Sequence, residues 1–379
     1  MAHLFRILAL AVFSLCSLVG AADPVSVTYP PVTGPHDVGT TSLKLTDYAR
    51  PNPFTNHGHR SFIVQLFYPA QNATQYPLAH YMEPKTAAYH EIILGLPAGT
   101  IPLIKLNSHE DAPIESCKDI QVILFSPAYG ATRHAYTSLL ENLASHGYVV
   151  VAFDHTNDAA VVEFPGGTLV FRDPTVDPND PVMLLKLLDV RVGDIRFALD
   201  LLHSNLTLSI PGVDTRLRVT ETGMYGNGLG GAATVATMFT DCRILGGIDI
   251  DGSVYGPVVE HGLWKPLLLM GVPSNNLDTD PTWMALWAHL RGWKRALVLA
   301  GSENLTYSDF PVAAELMGNI SSVFTPMDLV QMLGTIGGLR ANEVQRVYIL
   351  AFFDFLLRGE DGGLFDGPDP RYPEFSFQN

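Results

Sequence analysis

The sequence predicts an α/β fold with one mostly parallel central sheet and helices on both faces. Three observations predict this class. Short runs rich in Val, Ile and Leu alternate with amphipathic helical segments along most of the chain. Several runs are almost continuously apolar, as strands buried on both faces are. Helical segments between the strands are typical of the crossover connections of a parallel sheet. The 379 residues, 47% of them apolar, suffice for one large core.

The predicted elements follow one another with short connections. The strands are residues 62–68, 121–126, 148–154, 223–226, 245–251, 266–271 and 296–300. The helices are residues 136–146, 182–204, 229–239 and 341–357. The helix over 182–204 has an apolar stripe at helical spacing, so one of its sides is expected to face the sheet.

The N-terminal region is predicted to lie outside the α/β domain. Residues 1–21 have the pattern of a signal peptide, with Arg6 before an apolar stretch and small residues at its end. Residues 22–60 are Pro-rich and are predicted to be irregular, with a strand or two wrapping the body. Residues 61–379 are predicted to form a single domain. The chain is therefore expected in the secretory pathway, secreted or in the endoplasmic reticulum lumen, with no stable membrane span after cleavage.

Composition excludes some partners and leaves other features open. The formal charge of −15 argues against nucleic acid, because neutralising phosphates requires Lys and Arg. Four Asn-x-Ser/Thr triplets are candidate glycosylation sites: Asn72, Asn205, Asn304 and Asn319. Cys117 and Cys242 can pair in an oxidising lumen or remain buried thiols. No His or Cys spacing indicates a metal site, and no cofactor is expected. The oligomeric state is open.

The stretch that carries the most chemical information is MYGNGLGGA, residues 224–232. A strand runs into glycines and directly into a helix of small residues. This is the context of the Gly-x-Ser-x-Gly nucleophile elbow, in which flanking glycines allow a tight turn. Gly228 stands at the central position. The same stretch also matches the Gly-x-Gly-x-x-Gly dinucleotide loop, but it follows at least three strands, whereas that fingerprint normally follows the first.

Around this stretch the sequence resembles the platelet-activating-factor acetylhydrolase-like branch of the α/β-hydrolases. The resemblance covers about residues 60–358. The matching segments are FSPAYG at 125–130, LASHGY at 143–148 with Asp154 and His155 after it, GIDIDG at 247–252 and GSENLTYSDF at 301–310. The resemblance implies an α/β-hydrolase fold, an oxyanion loop in the first segment, a triad acid in the third and a triad histidine in the fourth.

Carried over by position, the resemblance implies an incomplete triad. Asp251 matches the family's acid, whereas Gly228 stands where the serine belongs and Asn304 where the histidine belongs. The backbone N–H groups of Tyr129 and Leu229 are the expected oxyanion donors. Ordinary acyl-enzyme chemistry requires a serine, a base that accepts its proton and an acid that orients the base. The sequence therefore predicts that this chemistry is absent.

Three functions remain open. In the first, Asp251 serves as an acid/base on a hydrophobic lipid- or polyketide-like substrate, by epoxide hydrolysis or a related ring opening or cyclisation. Asp154, His155, Glu303 and Tyr307 are possible pocket partners in that reaction. In the second, the chain is a pseudo-hydrolase that binds an apolar ligand or a partner without turnover. In the third, it retains a residual carboxylic-ester or lipid esterase activity.

Overall fold

The computed structural model describes residues 26–55, 57–115, 119–204, 206–213, 218–318 and 320–378. Its strands are β1 Val27–Thr28, β2 Asp37–Pro51, β3 His59–Ala70, β4 Leu78–His80, β5 Ile104–Glu110, β6 Asp119–Ser126, β7 Val149–Asp154, β8 Val161–Phe164, β9 Thr168–Phe171, β10 Arg218–Asn227, β11 Ile244–Ile250, β12 Leu267–Gly271, β13 Lys294–Leu299 and β14 Phe375–Gln378. Its α-helices are α1 Pro84–Leu94, α2 Thr137–Ser145, α3 Pro181–Ser204, α4 Leu229–Thr240, α5 Val258–His261, α6 Pro281–His289, α7 Phe310–Met317, α8 Pro326–Leu333 and α9 Gly338–Phe353.

Twelve strands form one sheet, and β8 and β9 form a separate hairpin. The order is β1-β5-β2-β3-β7-β6-β10-β11-β12-β13-β14, with β4 beside β5. From β7 to β13 every neighbouring pair is parallel. Because parallel strands end at the same edge, the turns after β6, β10, β11 and β13 lie along one side of the molecule. Those turns carry the candidate site.

The two faces of the sheet carry separate cores. Val122 and Leu124 pack in a cluster with α3 and α4, whereas Ile123 and Phe125 pack in a second cluster with α2 and α9. This alternation follows from the two-residue period of a strand. It explains why the buried strands read as continuous apolar runs, and it confirms the predicted α/β class with helices on both faces.

The predicted strands and helices all have counterparts in the structure, with ends that differ by a few residues. Residues 22–60 were predicted to be irregular, with a strand or two wrapping the body; in the described part of that range, β1 and β2 are instead members of the central sheet. β2 is the longest strand, with 15 residues, and it pairs with β3 inside the central sheet. The Pro residues that suggested irregularity lie mostly before β2 and at its last position, where no ladder hydrogen bond is interrupted. In the described part of the chain, no helix is long and apolar enough to cross a membrane. The predicted signal peptide lies outside the described residues.

Candidate active site

The turn between β10 and α4 has the geometry of a strand–turn–helix elbow. Gly228 precedes the first residue of α4 and has φ 54° and ψ −121°, a backbone conformation that residues other than glycine disfavour. Its N–H donates to the carbonyl of Ile250 at 2.7 Å, which fixes the turn against β11. Gly228 therefore lies at the apex of the turn, at the carboxyl edge of the parallel strands.

The glycines around this turn differ in the space they have for a side chain. A Cβ at Gly226 would lie 2.2 Å from the carbonyl oxygen of Gly230, and one at Gly230 would lie 1.9 Å from that of Ser126. At Gly228 the nearest atom is the Cβ of Ala128, at an ordinary contact distance of 3.4 Å. Packing thus requires glycine at the flanking positions. At Gly228 the surroundings leave room for a small side chain.

Asp251 and Asn304 meet next to this turn. Asp251 follows β11 and has φ 53°, a left-handed conformation that Asp tolerates better than most residues. Its Oδ2 accepts a 2.6 Å hydrogen bond from the Asn304 side-chain amide, and its Oδ1 accepts a 2.8 Å bond from the amide of Asn275. The residue is 8% exposed, whereas Asn304 is exposed. The structure thus brings together the predicted acid, Asp251, and the residue predicted to stand at the histidine position, Asn304.

The environment places the pKa of Asp251 close to neutrality. Burial raises it from the ordinary carboxyl range to about 6, although the hydrogen bonds from Asn275 and Asn304 stabilise the ionised form and partly oppose the effect. The neighbouring charges of Asp280 and Glu303 also raise this pKa. Asp251 can therefore exchange a proton near neutral pH, which an acid or base in catalysis needs to do.

The two expected backbone donors flank the turn. Leu229 is the first residue of α4, where an N–H has no partner within the helix and the helix dipole favours negative charge. Tyr129 directly follows Ala128, the residue nearest to the side-chain position of Gly228. Both segments lie at the same apex, which is compatible with the predicted oxyanion role.

Two residues that were predicted to line the pocket, Asp154 and His155, instead bond to other buried side chains. The prediction for Asp154 and His155 is corrected by their contacts, since both side chains point into buried networks. Asp154 accepts from the backbone N–H and the guanidinium of Arg133. His155 lies between Ser126 and Asp194, with its Nε2 3.1 Å from Ser126 Oγ and its Nδ1 2.9 Å from Asp194 Oδ2. Burial lowers the pKa of His155.

The Ser126, His155 and Asp194 side chains have the hydrogen-bond pattern of a triad, but all three are at most 1% exposed. Arg191 donates to Ser126 Oγ at 3.0 Å, so the serine hydroxyl is held from two sides. Arg191 also bonds the carbonyl of Pro127 and pairs with Asp158. The network fixes the strand end that leads to Tyr129. Sequence reasoning missed this network, because His155 is 29 residues from Ser126 and 39 residues from Asp194, and only the fold brings the three side chains together.

Glu303 and Tyr307 lie on the same loop as Asn304 but do not bond Asp251. The Glu303 backbone N–H donates to Thr306 Oγ1 at 2.7 Å, and its side chain caps the 3-10 helix Asn304–Tyr307. The Tyr307 hydroxyl is buried and donates to the carbonyl of Gly271 at 2.8 Å. Both residues therefore shape the loop. The residue that sequence reasoning missed here is Asn275, because nothing in the loop after β12 marks its amide as a partner of Asp251.

The structure describes some of the predicted glycosylation sites and cysteines and not others. Asn72 is exposed in the turn after β3. Asn205, Asn319 and Cys117 lie outside the described residues, while Cys242 is an exposed free thiol. Across the described ranges, no group of three His, Cys, Asp or Glu side chains is placed to hold a metal ion.

The comparisons with known proteins show the family of this chain. A probable 1-alkyl-2-acetylglycerophosphocholine esterase from Arthroderma benhamiae is 30% identical over 392 residues, which cover 96% of this chain and 98% of that protein. The chain belongs to the platelet-activating-factor acetylhydrolase family. The family model for platelet-activating factor acetylhydrolase, isoform II, matches residues 22–180.

More distant relatives and a solved structure extend the agreement. The platelet-activating factor acetylhydrolase of Cavia porcellus is 22% identical over 79% of this chain and 73% of its own. A ferulic acid esterase from Streptomyces cinnamoneus has 30% identity and a TM-score of 0.81, and the match covers 94% of this chain and 100% of that one. These findings support the α/β-hydrolase fold and a lipid-acting hydrolase.

Proposed function

We propose that this family member acts on a hydrophobic lipid- or polyketide-like substrate by non-covalent acid/base chemistry with Asp251 as the proton acceptor. The observation that carries the proposal is the Asp251 carboxylate. It is 8% exposed, its pKa is raised to about 6, and it lies beside the turn of Gly228 and the N-terminus of α4. A carboxylate with such a pKa is suited to general-base work near neutral pH.

The absence of a side chain at Gly228 argues against a covalent intermediate. Glycine offers no nucleophilic atom, and the amide of Asn304 cannot accept a proton from one at neutral pH. The nearest serine of the oxyanion segment, Ser126, is buried and bonded to both His155 and Arg191. The reaction must then proceed by direct attack of water, or of a hydroxyl group of the substrate itself, on the reacting carbon.

Epoxide hydrolysis is the reaction class that we favour. A water molecule gives a proton to Asp251 while its oxygen forms a bond to a ring carbon. The carbon–oxygen bond of the ring breaks, and the N–H groups of Tyr129 and Leu229 stabilise the oxygen anion. Asp251 then returns the proton it accepted to this anion by way of water, which yields a diol and the ionised carboxylate. A strained ring needs less activation than an ester. A ring opening by an internal hydroxyl, which is a cyclisation, uses the same groups.

A second candidate is a binding protein without turnover. It is favoured by the two amide hydrogen bonds to Asp251, because each carboxylate oxygen already accepts a hydrogen bond, at 2.6 Å from Asn304 and at 2.8 Å from Asn275. A residual esterase activity is a lesser candidate, which the named activities of the relatives support. In that reaction water would attack the carbonyl carbon directly.

The secretory assignment belongs to the same proposal. It rests on the signal-peptide pattern of residues 1–21 and on the glycosylation triplet at Asn72, an exposed residue in the structure. We retain a single α/β-hydrolase domain, with residues 37–51 included because β2 is part of its sheet.

The proposal is tested with purified protein, a panel of aliphatic and aryl epoxides, a panel of esters and a fluorophosphonate probe. We expect epoxide turnover without labelling by the probe, and loss of turnover by at least about a hundredfold in Asp251→Asn. Asp189→Asn, at an exposed position of α3, is the matched control and should be unaffected. Turnover that survives Asp251→Asn would refute the role of Asp251. Silence on both panels would favour the binding protein, and labelling with ester turnover the esterase.

A further inference from the structure

An apolar cavity of about 130 Å³ lies between α1, α7 and α8, beside the loop that carries Asn304. Its walls include Leu96, Ile101, Leu305, Phe310, Met317 and Leu333. We propose that this cavity, which we name the tail pocket, binds one unbranched alkyl chain of a lipid-like ligand. The cavity is not evident from the sequence, because its walls come from segments more than 200 residues apart.

The chemistry of the walls selects an apolar group. None of the side chains that line the tail pocket is charged. The hydroxyl of Ser321 already donates to the carbonyl of Leu94 at 2.6 Å. A polar or charged group would lose its hydration on entry and gain little in exchange. The pocket therefore suits a hydrocarbon chain and disfavours a carboxylate, an amine or a phosphate.

The dimensions set the length of chain that fits. An engineered cavity of about 150 Å³ lined by aliphatic and aromatic side chains binds benzene. A cavity of 130 Å³ thus holds about six carbon atoms. Three methionines, Met82, Met317 and Met332, contribute to the walls, and their unbranched side chains can adjust to a flexible chain.

The tail pocket and the candidate active site share a loop. Asn304 donates to Asp251, and the next residue, Leu305, lines the pocket. Thr306 Oγ1 donates to the carbonyl of Leu333 at 2.8 Å, which ties this loop to the pocket wall on α8. The pocket wall and the Asn304–Asp251 contact therefore share consecutive residues of one loop, and we infer that a lipid bound at Asp251 places a chain in the pocket. This link to catalysis rests on the proposed function, whereas binding of the chain itself does not require turnover.

The test measures binding of n-alcohols from butanol to decanol by isothermal titration calorimetry, which needs no reporter ligand in the pocket. We expect Kd to fall about fourfold for each added CH₂ group up to about six carbons, and to level off beyond that length. Ala314→Phe fills the pocket and should weaken hexanol binding at least tenfold. Leu316→Phe is the matched control, because Leu316 is on the same helix but is exposed and does not line the pocket.

The outcomes separate the two proposals. If Ala314→Phe does not fold, as judged by circular dichroism, the smaller change Ala313→Leu replaces it with the same expected direction. Absence of any dependence on chain length, or equal loss in Leu316→Phe, would overturn the tail pocket and show an unfilled packing gap. Asp251→Asn should bind hexanol as the unaltered protein does. If Asp251→Asn loses turnover but still binds hexanol, both the tail pocket and the role of Asp251 are supported. If the unaltered protein turns over substrate but binds no alcohol, the tail pocket alone is overturned.

Discussion

Introducing a serine at position 228 and a histidine at position 304 should create a working serine triad. In Gly228→Ser the new Cβ has Ala128 as its nearest neighbour at 3.4 Å, so the side chain fits without a shift of the backbone. In Asn304→His the ring takes the place of an amide that already lies 2.6 Å from Asp251 Oδ2. A ring nitrogen there can donate to Asp251, and the other can accept the serine proton, which are the two bonds of a triad.

The two substitutions should add almost no esterase activity when made singly and a large activity when combined. Ser at φ 54° adopts a disfavoured backbone conformation, which should lower the free energy of unfolding by about 1–3 kcal/mol. Serine without histidine has no base, and histidine without serine has no nucleophile. Triad residues act as a unit, so each single variant should hydrolyse esters at the background rate, while the double variant should exceed it by about 10³-fold or more.

The assay is labelling by a fluorophosphonate probe, followed by mass spectrometry of the modified peptide, with ester hydrolysis measured in parallel. The expected result is one label per chain, on position 228 of the double variant and on no residue of either single variant. The triple variant, with Asp251→Asn added to the pair, should lose most of the rate gained by the double variant. A folded double variant that is neither labelled nor active would refute the inference that the elbow, the acid and the loop retain triad geometry.

Three further predictions concern pH and stability. Turnover that depends on ionised Asp251 should rise with pH and level off above about pH 6. Asn275→Ala should move the inflection of the pH–rate profile to higher pH, because it removes a hydrogen bond to the ionised carboxylate. An unchanged inflection would exclude Asp251 as the group whose ionisation controls turnover. Burial raises the pKa of Asp309 to about 8, so its contribution to stability is complete below about pH 4 and is lost as pH rises to 8. Urea unfolding of Asp309→Asn should therefore lack a loss of the order of a few kcal/mol over that range, and parallel pH curves for the two proteins would contradict it. Gly230→Ala places a Cβ 1.9 Å from a carbonyl oxygen and should lower the free energy of unfolding by about 3 kcal/mol or more. Gly228→Ala should lower it by about 1–3 kcal/mol, because only the backbone conformation is disfavoured there. Equal losses in urea unfolding would contradict the difference in space between the two positions.

Residues that are local in sequence gave reliable predictions. The strand over 121–126 and the helix over 182–204 are visible because burial on both faces and helical periodicity leave patterns within a few residues. The elbow at Gly228 was recognisable for the same reason, since its strand, glycines and helix are consecutive. Asp251 and Asn304 were located by resemblance of their segments, and the structure places their side chains 2.6 Å apart.

Other assignments failed where contacts depend on distant segments. His155 follows a strand end at the correct edge, yet its side chain turns into the buried network of Ser126 and Asp194, 29 and 39 residues away. β2 has Pro-rich flanks, but its pairing partner β3 supplies the ladder bonds that make it a strand. Propensity cannot show such pairing, because it is decided by which strands become neighbours.

The sequence by itself determined the fold class and the position of the elbow, and it predicted a triad without serine and histidine, because each is written in consecutive residues. Only the tertiary structure decided that Gly228 has room for a side chain, that Asn275 bonds Asp251 and that the tail pocket exists. Each of these depends on atoms from segments that are remote in the chain. Their distances are set by the packing of the sheet and its helices.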